Sequence, residues 1–193
     1  MTKWLSHRMV ERGIIKEEEQ ELYQFGIRNG MILLLNVVTA LVIGLLTEQL
    51  AVVAEFTLSF MVLRSYTGGY HSDSRIFCYL GSNLVLLVPV YTQAVFYKTS
   101  LARLLAVLLV SAGIIFLLSP MHSKNRKLDK EEQKHFGRKA RLIAALELAV
   151  LGILWHAGQI PYAYAVYTGI CITALFMIVG KAQLWIQSHT ENG

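Results

Sequence analysis

Arg64-Ser65-Tyr66-Thr67-Gly68-Gly69-Tyr70-His71-Ser72-Asp73-Ser74-Arg75-Ile76-Phe77-Cys78 is a short polar interruption between two apolar runs, residues 50–66 and 76–97. Each run is near the roughly 20 residues an α-helix needs to cross about 30 Å of hydrocarbon. Neither shows the alternation of a membrane β-strand. The interruption therefore reads as a water-facing loop between two membrane helices, and the rest of the chain follows from that.

Four further apolar runs lie at residues 30–47, 101–121, 140–157 and 161–185. Together they predict an all-α integral membrane protein of about six transmembrane helices. The first pair is short, so a re-entrant hairpin with Thr47-Glu48-Gln49 at its tip stands as the alternative to two full spans. Composition agrees with a membrane class: 54% of the 193 residues are apolar and only 16% charged, with a mean hydropathy of +0.47. A soluble domain of this size carries nearer a quarter charged residues. Three prolines and few Ser/Gly-rich stretches leave no evident linker, so residues 1–193 read as one membrane domain, with a bundle over 30–185.

Charge sets the expected orientation. Of the 18 Lys and Arg residues, all but Lys98 and Arg103 fall in the first thirty residues, the 64–75 loop, the 124–141 segment and the C-terminal end. The positive-inside rule then places both termini and the 64–78 loop in the cytoplasm, where thiols stay reduced. The same sorting explains a pI near 9.2 through topology and anionic membrane lipid rather than nucleic acid. No nucleic-acid-binding signature or secretory leader is visible.

Residues 1–29 form their own region. Trp4, Leu5, Met9, Val10, Ile14 and Ile15 alternate with Lys3, Arg8, Arg12 and Lys16. That pattern predicts an amphipathic helix on the membrane surface or against the cytoplasmic loops. Gly13 breaks it, and Lys16-Glu17-Glu18-Glu19 opens a second short helix.

A thiol becomes a strong nucleophile near neutral pH when an imidazole takes its proton. His71 and Cys78 are seven residues apart, about 10.5 Å along an unbroken helix, which is too far to share a proton. A dyad therefore needs His71 off the helix that carries Cys78. Gly68 and Gly69 permit the turn. Ser74 is a favoured N-cap, which makes Cys78 the fourth helical residue, near the positive helix end. The plainer reading is a cysteine in an apolar helix beside an interfacial histidine, and spacing alone does not choose between them. Cys171, mid-span with no histidine beside it, reads as packing.

The segment Ser119-Pro120-Met121-His122-Ser123-Lys124-Asn125-Arg126-Lys127-Leu128 opens the basic cytoplasmic loop 122–139. It either orients the chain or docks an acidic ligand through Lys124, Arg126 and Lys127. Arg64 reads equally as a substrate contact or a boundary arginine with its head in water. His122 and His135 add nothing with zinc-ligand spacing, so no metal or other cofactor is expected. Glu55 and Glu147 lie inside spans, where ionisable groups are costly, and are expected to be paired or neutral at helix contacts.

Arg64, Gly68-Gly69, His71 and Cys78 together resemble the signature of the accessory gene regulator protein B (AgrB) family, bacterial membrane cysteine endopeptidases that process quorum-sensing propeptides. The run from Pro120 to Leu128 is similar to that family's basic loop, and Gly13, Glu18, Glu19, Tyr23 and Gly26 fit its N-terminal pattern. The resemblance implies a multi-pass protein of the bacterial cell membrane. It implies His71 as general base, Cys78 as nucleophile and an AgrD-like propeptide as substrate, and leaves room for a homodimer. Cleavage would leave the peptide as an acyl-thioester on Cys78, which a cysteine or serine within the peptide resolves to a thiolactone or lactone. A small peptide exporter, suggested by Glu55 and Glu147, and a non-catalytic scaffold, suggested by the N-terminus, are the competing classes.

Overall fold

The computed structural model describes residues 2–68, 75–121 and 129–190. The described residues are helical apart from short turns, in the order α1 (Thr2–Glu11), a 3-10 turn (Glu17–Glu19), α2 (Gln20–Leu46), α3 (Leu50–Thr67), α4 (Arg75–Lys98), α5 (Leu101–Leu118), α6 (Lys130–His156) and α7 (Ile160–Thr190). They fall into two compact units, residues 1–39 and 40–193, with α2 running from the first into the second.

Among the described residues, five stretches are long and apolar enough to cross a membrane: Glu17–Leu46, Leu50–Thr67, Tyr79–Lys98, Leu101–Leu118 and Ile160–Ile186. The protein is a helical membrane protein. The sixth apolar run also lies in a helix, α6, whose last eighteen residues hold the charged side chains of Lys139, Arg141 and Glu147.

In the first unit α1 presents Trp4 and Leu5 on its exposed surface, with the Arg8 guanidinium 5.0 Å from the Trp4 ring centroid. Gly13, at φ 65°, ends the helical segment in the left-handed region, where a side chain is disfavoured. The second short helix expected after Lys16 is instead a single 3-10 turn that feeds directly into α2. The Lys16 N–H donates to Glu19 Oε2 at 3.1 Å. The predicted boundary at residue 29 is crossed without a break. A helical glycine costs only about 1 kcal/mol, and Gly26 and Gly30 both face open space.

The second unit is arranged around α7, which packs against α3, α4, α5 and α6. Alanines and a glycine let its neighbours approach: Ala163, Ala165 and Ala174 are buried, and a Cβ added at Gly169 would lie 2.5 Å from Ser59 Oγ on α3. Ser59 meets residue 169, and Arg64, further along α3, meets Phe176, further along α7. The two helices are therefore parallel. One apolar cluster centres on Val53, Phe56, Phe96, Tyr164 and Ala165, and a second on Leu63, Ile115, Ala144, Val166, Ile170 and Met177. α2 and α3 are joined by the tight turn at 47–49, with Glu48 at φ 55° and the Gln49 N–H on the Gly44 carbonyl at 2.9 Å.

Candidate functional site

The last carbonyls of a helix have no partner within it. At the end of α3, the Thr67 carbonyl accepts the backbone N–H of Met121 at 2.9 Å. At the end of α5, the Ser119 N–H returns to the Ile115 carbonyl at 3.1 Å, and Arg141 Nε of α6 donates to the Phe116 carbonyl at 3.2 Å. Both helix ends are thus finished by groups from elsewhere in the bundle. The two polar segments singled out in the sequence, one beginning at Gly68-Gly69 and the other at Met121-His122, leave the bundle from one seam.

Two glycines make the seam close. Gly68 has φ 71°, and a Cβ there would lie 2.7 Å from the Met121 carbonyl oxygen. Gly137, in the first half of α6, would place a Cβ 2.9 Å from Pro120 Cδ. A backbone oxygen and a ring carbon can yield little, so each position is restricted to glycine.

Arg64, one turn before the end of α3, points along the helix to the seam. Its guanidinium donates to the Gly68 carbonyl, which also accepts the Thr67 hydroxyl at 3.3 Å. The same guanidinium lies 5.3 Å from the Phe176 ring centroid. Phe176 in turn packs edge-on against Phe60 at 5.8 Å. Beside it Tyr66 packs on Phe136 at 6.4 Å, with Lys139 Nζ 5.8 Å from the Tyr66 ring. The seam is therefore cationic and aromatic.

α4 begins at Arg75, so Cys78 is its fourth residue. Gly69, His71, Lys124, Arg126 and Lys127 lie outside the described residues, as do Asp73 and His122. Of the residues chosen from sequence, Arg64 and Gly68 are brought together. Of the two in-span carboxylates, Glu147 of α6 accepts the Ser59 hydroxyl of α3 at 2.8 Å, the interhelical pairing expected of it. Glu55 stands one turn before Ser59 on α3.

An apolar cavity of about 310 Å³ lies at the opposite end of the helices, lined by Phe96, Leu104, Leu108, Leu151, Trp155 and Tyr167 among others. It is separate from the seam. Sequence reasoning missed Thr67, Met121, Phe176 and Gly137. Only Gly137 carried a local signal, a glycine among strong helix formers. The other three are ordinary interior residues until the helices are packed.

The family model described as Accessory gene regulator B matches residues 1–179. A putative AgrB-like protein of Clostridium perfringens (strain SM101 / Type A) is 23% identical over 148 residues, covering 74% of this chain and 69% of that protein. Putative AgrB-like protein 2 of Clostridium perfringens (strain 13 / Type A) is 25% identical over 134 residues, covering 65% of this chain and 61% of that protein. No solved structure matches.

Proposed function

The chain belongs to the accessory gene regulator B family, and from that premise we propose that it is a membrane cysteine endopeptidase acting on an AgrD-type propeptide. Family membership implies a role in processing the quorum-sensing peptide of that system. The finer reading assigns His71 and Cys78 to the chemistry.

In that reading the His71 imidazole takes the proton of the Cys78 thiol, and the thiolate attacks a peptide carbonyl near the propeptide's C-terminal end. The tetrahedral intermediate collapses with loss of the tail, whose new amine receives the proton from His71. The remaining peptide is held as a thioester. A thiol or hydroxyl within the peptide then attacks the thioester carbonyl, closing the ring and returning the Cys78 sulfur as thiolate, which is reprotonated. One acyl bond is exchanged for another of similar energy when the product is a thiolactone, so no nucleotide is needed. Ring closure competes with hydrolysis, which favours a site that excludes water.

The observation that supports this most is the hydrogen bond from Met121 to Thr67. It brings the start of the Gly-Gly/His segment and the start of the basic loop to one place. A nucleophile-bearing helix and a cationic loop for an acidic tail belong together in such an enzyme. The remaining cations of the reading, Lys124, Arg126 and Lys127, would attract the tail. The test is co-expression with a candidate propeptide. Wild type should release the C-terminal tail, seen by mass, and Cys78→Ala should not. Release by Cys78→Ala at the normal rate would remove the cysteine mechanism.

A further inference from the structure

We infer that Arg64 is a positioning residue: it holds the Gly68 carbonyl, and with it the exit of the Gly-Gly/His segment, rather than binding a substrate carboxylate. The inference rests on the endopeptidase reading for its consequence, but its geometry stands on described residues alone. The Arg64 guanidinium donates to the Gly68 oxygen from one turn back in the same helix, and Thr67 donates to that oxygen as well. A guanidinium is a planar fork of five donors. Here its carbon lies over the Phe176 ring, 5.3 Å from the centroid, so the guanidinium is in contact with α7 as well as with α3.

Gly68 is the point on which such a grip acts. Its φ of 71° lies where only glycine is unstrained, and the space a side chain would need is filled by the Met121 carbonyl. The Thr67 carbonyl just before it is held by the Met121 N–H at 2.9 Å. Consecutive carbonyls, of Thr67 and Gly68, are therefore pinned from two sides, one by the segment that opens the basic loop and one by Arg64. The direction in which the chain leaves α3 is set by these contacts. A base that must meet a thiol on the next helix depends on that direction, because proton transfer requires hydrogen-bond geometry.

A substrate anchor and a positioning residue differ in what their loss does. Arg64→Gln removes the charge and the fork, Arg64→Lys keeps the charge and loses the fork, and Gly68→Ala disturbs the same exit without touching any charge. The purified protein in liposomes is assayed with a synthetic propeptide and with a version whose acidic tail residues are changed to their amides. Positioning predicts that Arg64→Gln and Gly68→Ala each lower kcat by about tenfold or more, with KM within about twofold, equally on both peptides. Arg64→Lys should recover only part of the loss. The double variant should be no worse than about threefold below the poorer single one, since both act on one contact.

A second readout needs no substrate. The chain has two cysteines, so in a Cys171→Ala background the alkylation rate of the remaining thiol reports on Cys78. Arg64→Gln, Gly68→Ala and His71→Ala should each move the rise of that rate with pH upward, toward the ordinary thiol value of about 8.5. A KM increase confined to the acidic peptide would make Arg64 a substrate anchor and overturn the inference. So would an alkylation profile unchanged in Arg64→Gln, or unchanged in His71→Ala, which would leave the grip with nothing to position. Failure of the endopeptidase reading is seen separately, as tail release that survives Cys78→Ala.

Discussion

The Met121 N–H and the Thr67 carbonyl, 54 residues apart in sequence, form a 2.9 Å hydrogen bond between the ends of two helices. Gly68 is pressed against Met121 by that bond, and the two polar segments of the chain start on either side of it. This bond links one apolar run to another and turns two separate motifs into one locality.

The seam has a direct chemical test. A Cβ at Gly68 would lie 3.4 Å from Met121 Cβ, close to the separation a disulfide spans. A cross-link therefore reads this contact, even though the Met121 carbonyl, 2.7 Å from that Cβ, must shift to admit the side chain. With Cys78 and Cys171 replaced by alanine, the pair Gly68→Cys and Met121→Cys should cross-link under mild oxidant within the membrane. The pair Ser65→Cys and Met121→Cys should not, because Ser65 is exposed on α3 two residues before the helix end. Equal cross-linking of both pairs would show that the seam is not a fixed contact.

The sidedness of the chain follows from the same geometry. Gly68 and Met121 meet at one end of the helices, level with Gly137 of α6, while the turn at 157–159 lies beyond the far end of α6, roughly 20 residues and about 30 Å away at 1.5 Å per residue. Labelling of single cysteines at residues 72 and 127 should therefore report the same side, and residue 158 the opposite one. The positive-inside rule predicts that this shared side is the cytoplasm. Residues 72 and 158 labelled from the same side would contradict the packing itself.

Gly169 and Ser59 test the core. A Cβ at residue 169 would lie 2.5 Å from Ser59 Oγ, the hydroxyl that donates to Glu147 at 2.8 Å. Gly169→Ala should destabilise the detergent-solubilised protein by about 1–3 kcal/mol through overpacking. Adding Ser59→Ala should recover part of the loss, because the clashing oxygen is gone. Gly113→Ala, where nothing lies within 4 Å, should be neutral or slightly stabilising. Thermal unfolding of the three variants settles the order.

Much of this was legible in the sequence because membrane helices declare themselves through apolar length, and each of the six runs coincides with one of the helices α2 to α7 or overruns its end by a few residues. A helix over residues 75–98 was legible as well, since serine is a residue type favoured just before a helix and the sequence has one at position 74. That α2 already starts at Gln20 was not legible, because the apolar run begins only at Gly30 and a helix does not stop where polarity changes. Phe176 could not be found from sequence. It sits in a uniformly apolar span, where periodicity gives no preferred face, and its place beside Arg64 depends on α3 and α7 being parallel. Met121 was invisible for a related reason: it contributes its backbone N–H, a group every residue but proline carries.

The measurement that bears most directly on the central claim is the intact mass of the protein after brief incubation with propeptide and rapid acid quench. The account predicts a fraction of chains heavier by the peptide without its tail, held on Cys78 and released by hydroxylamine as a thioester is. Cys78→Ala and His71→Ala should lack it, and Cys171→Ala should retain it. Tail release without any adduct on wild type, or an adduct that survives in Cys78→Ala, would contradict the account.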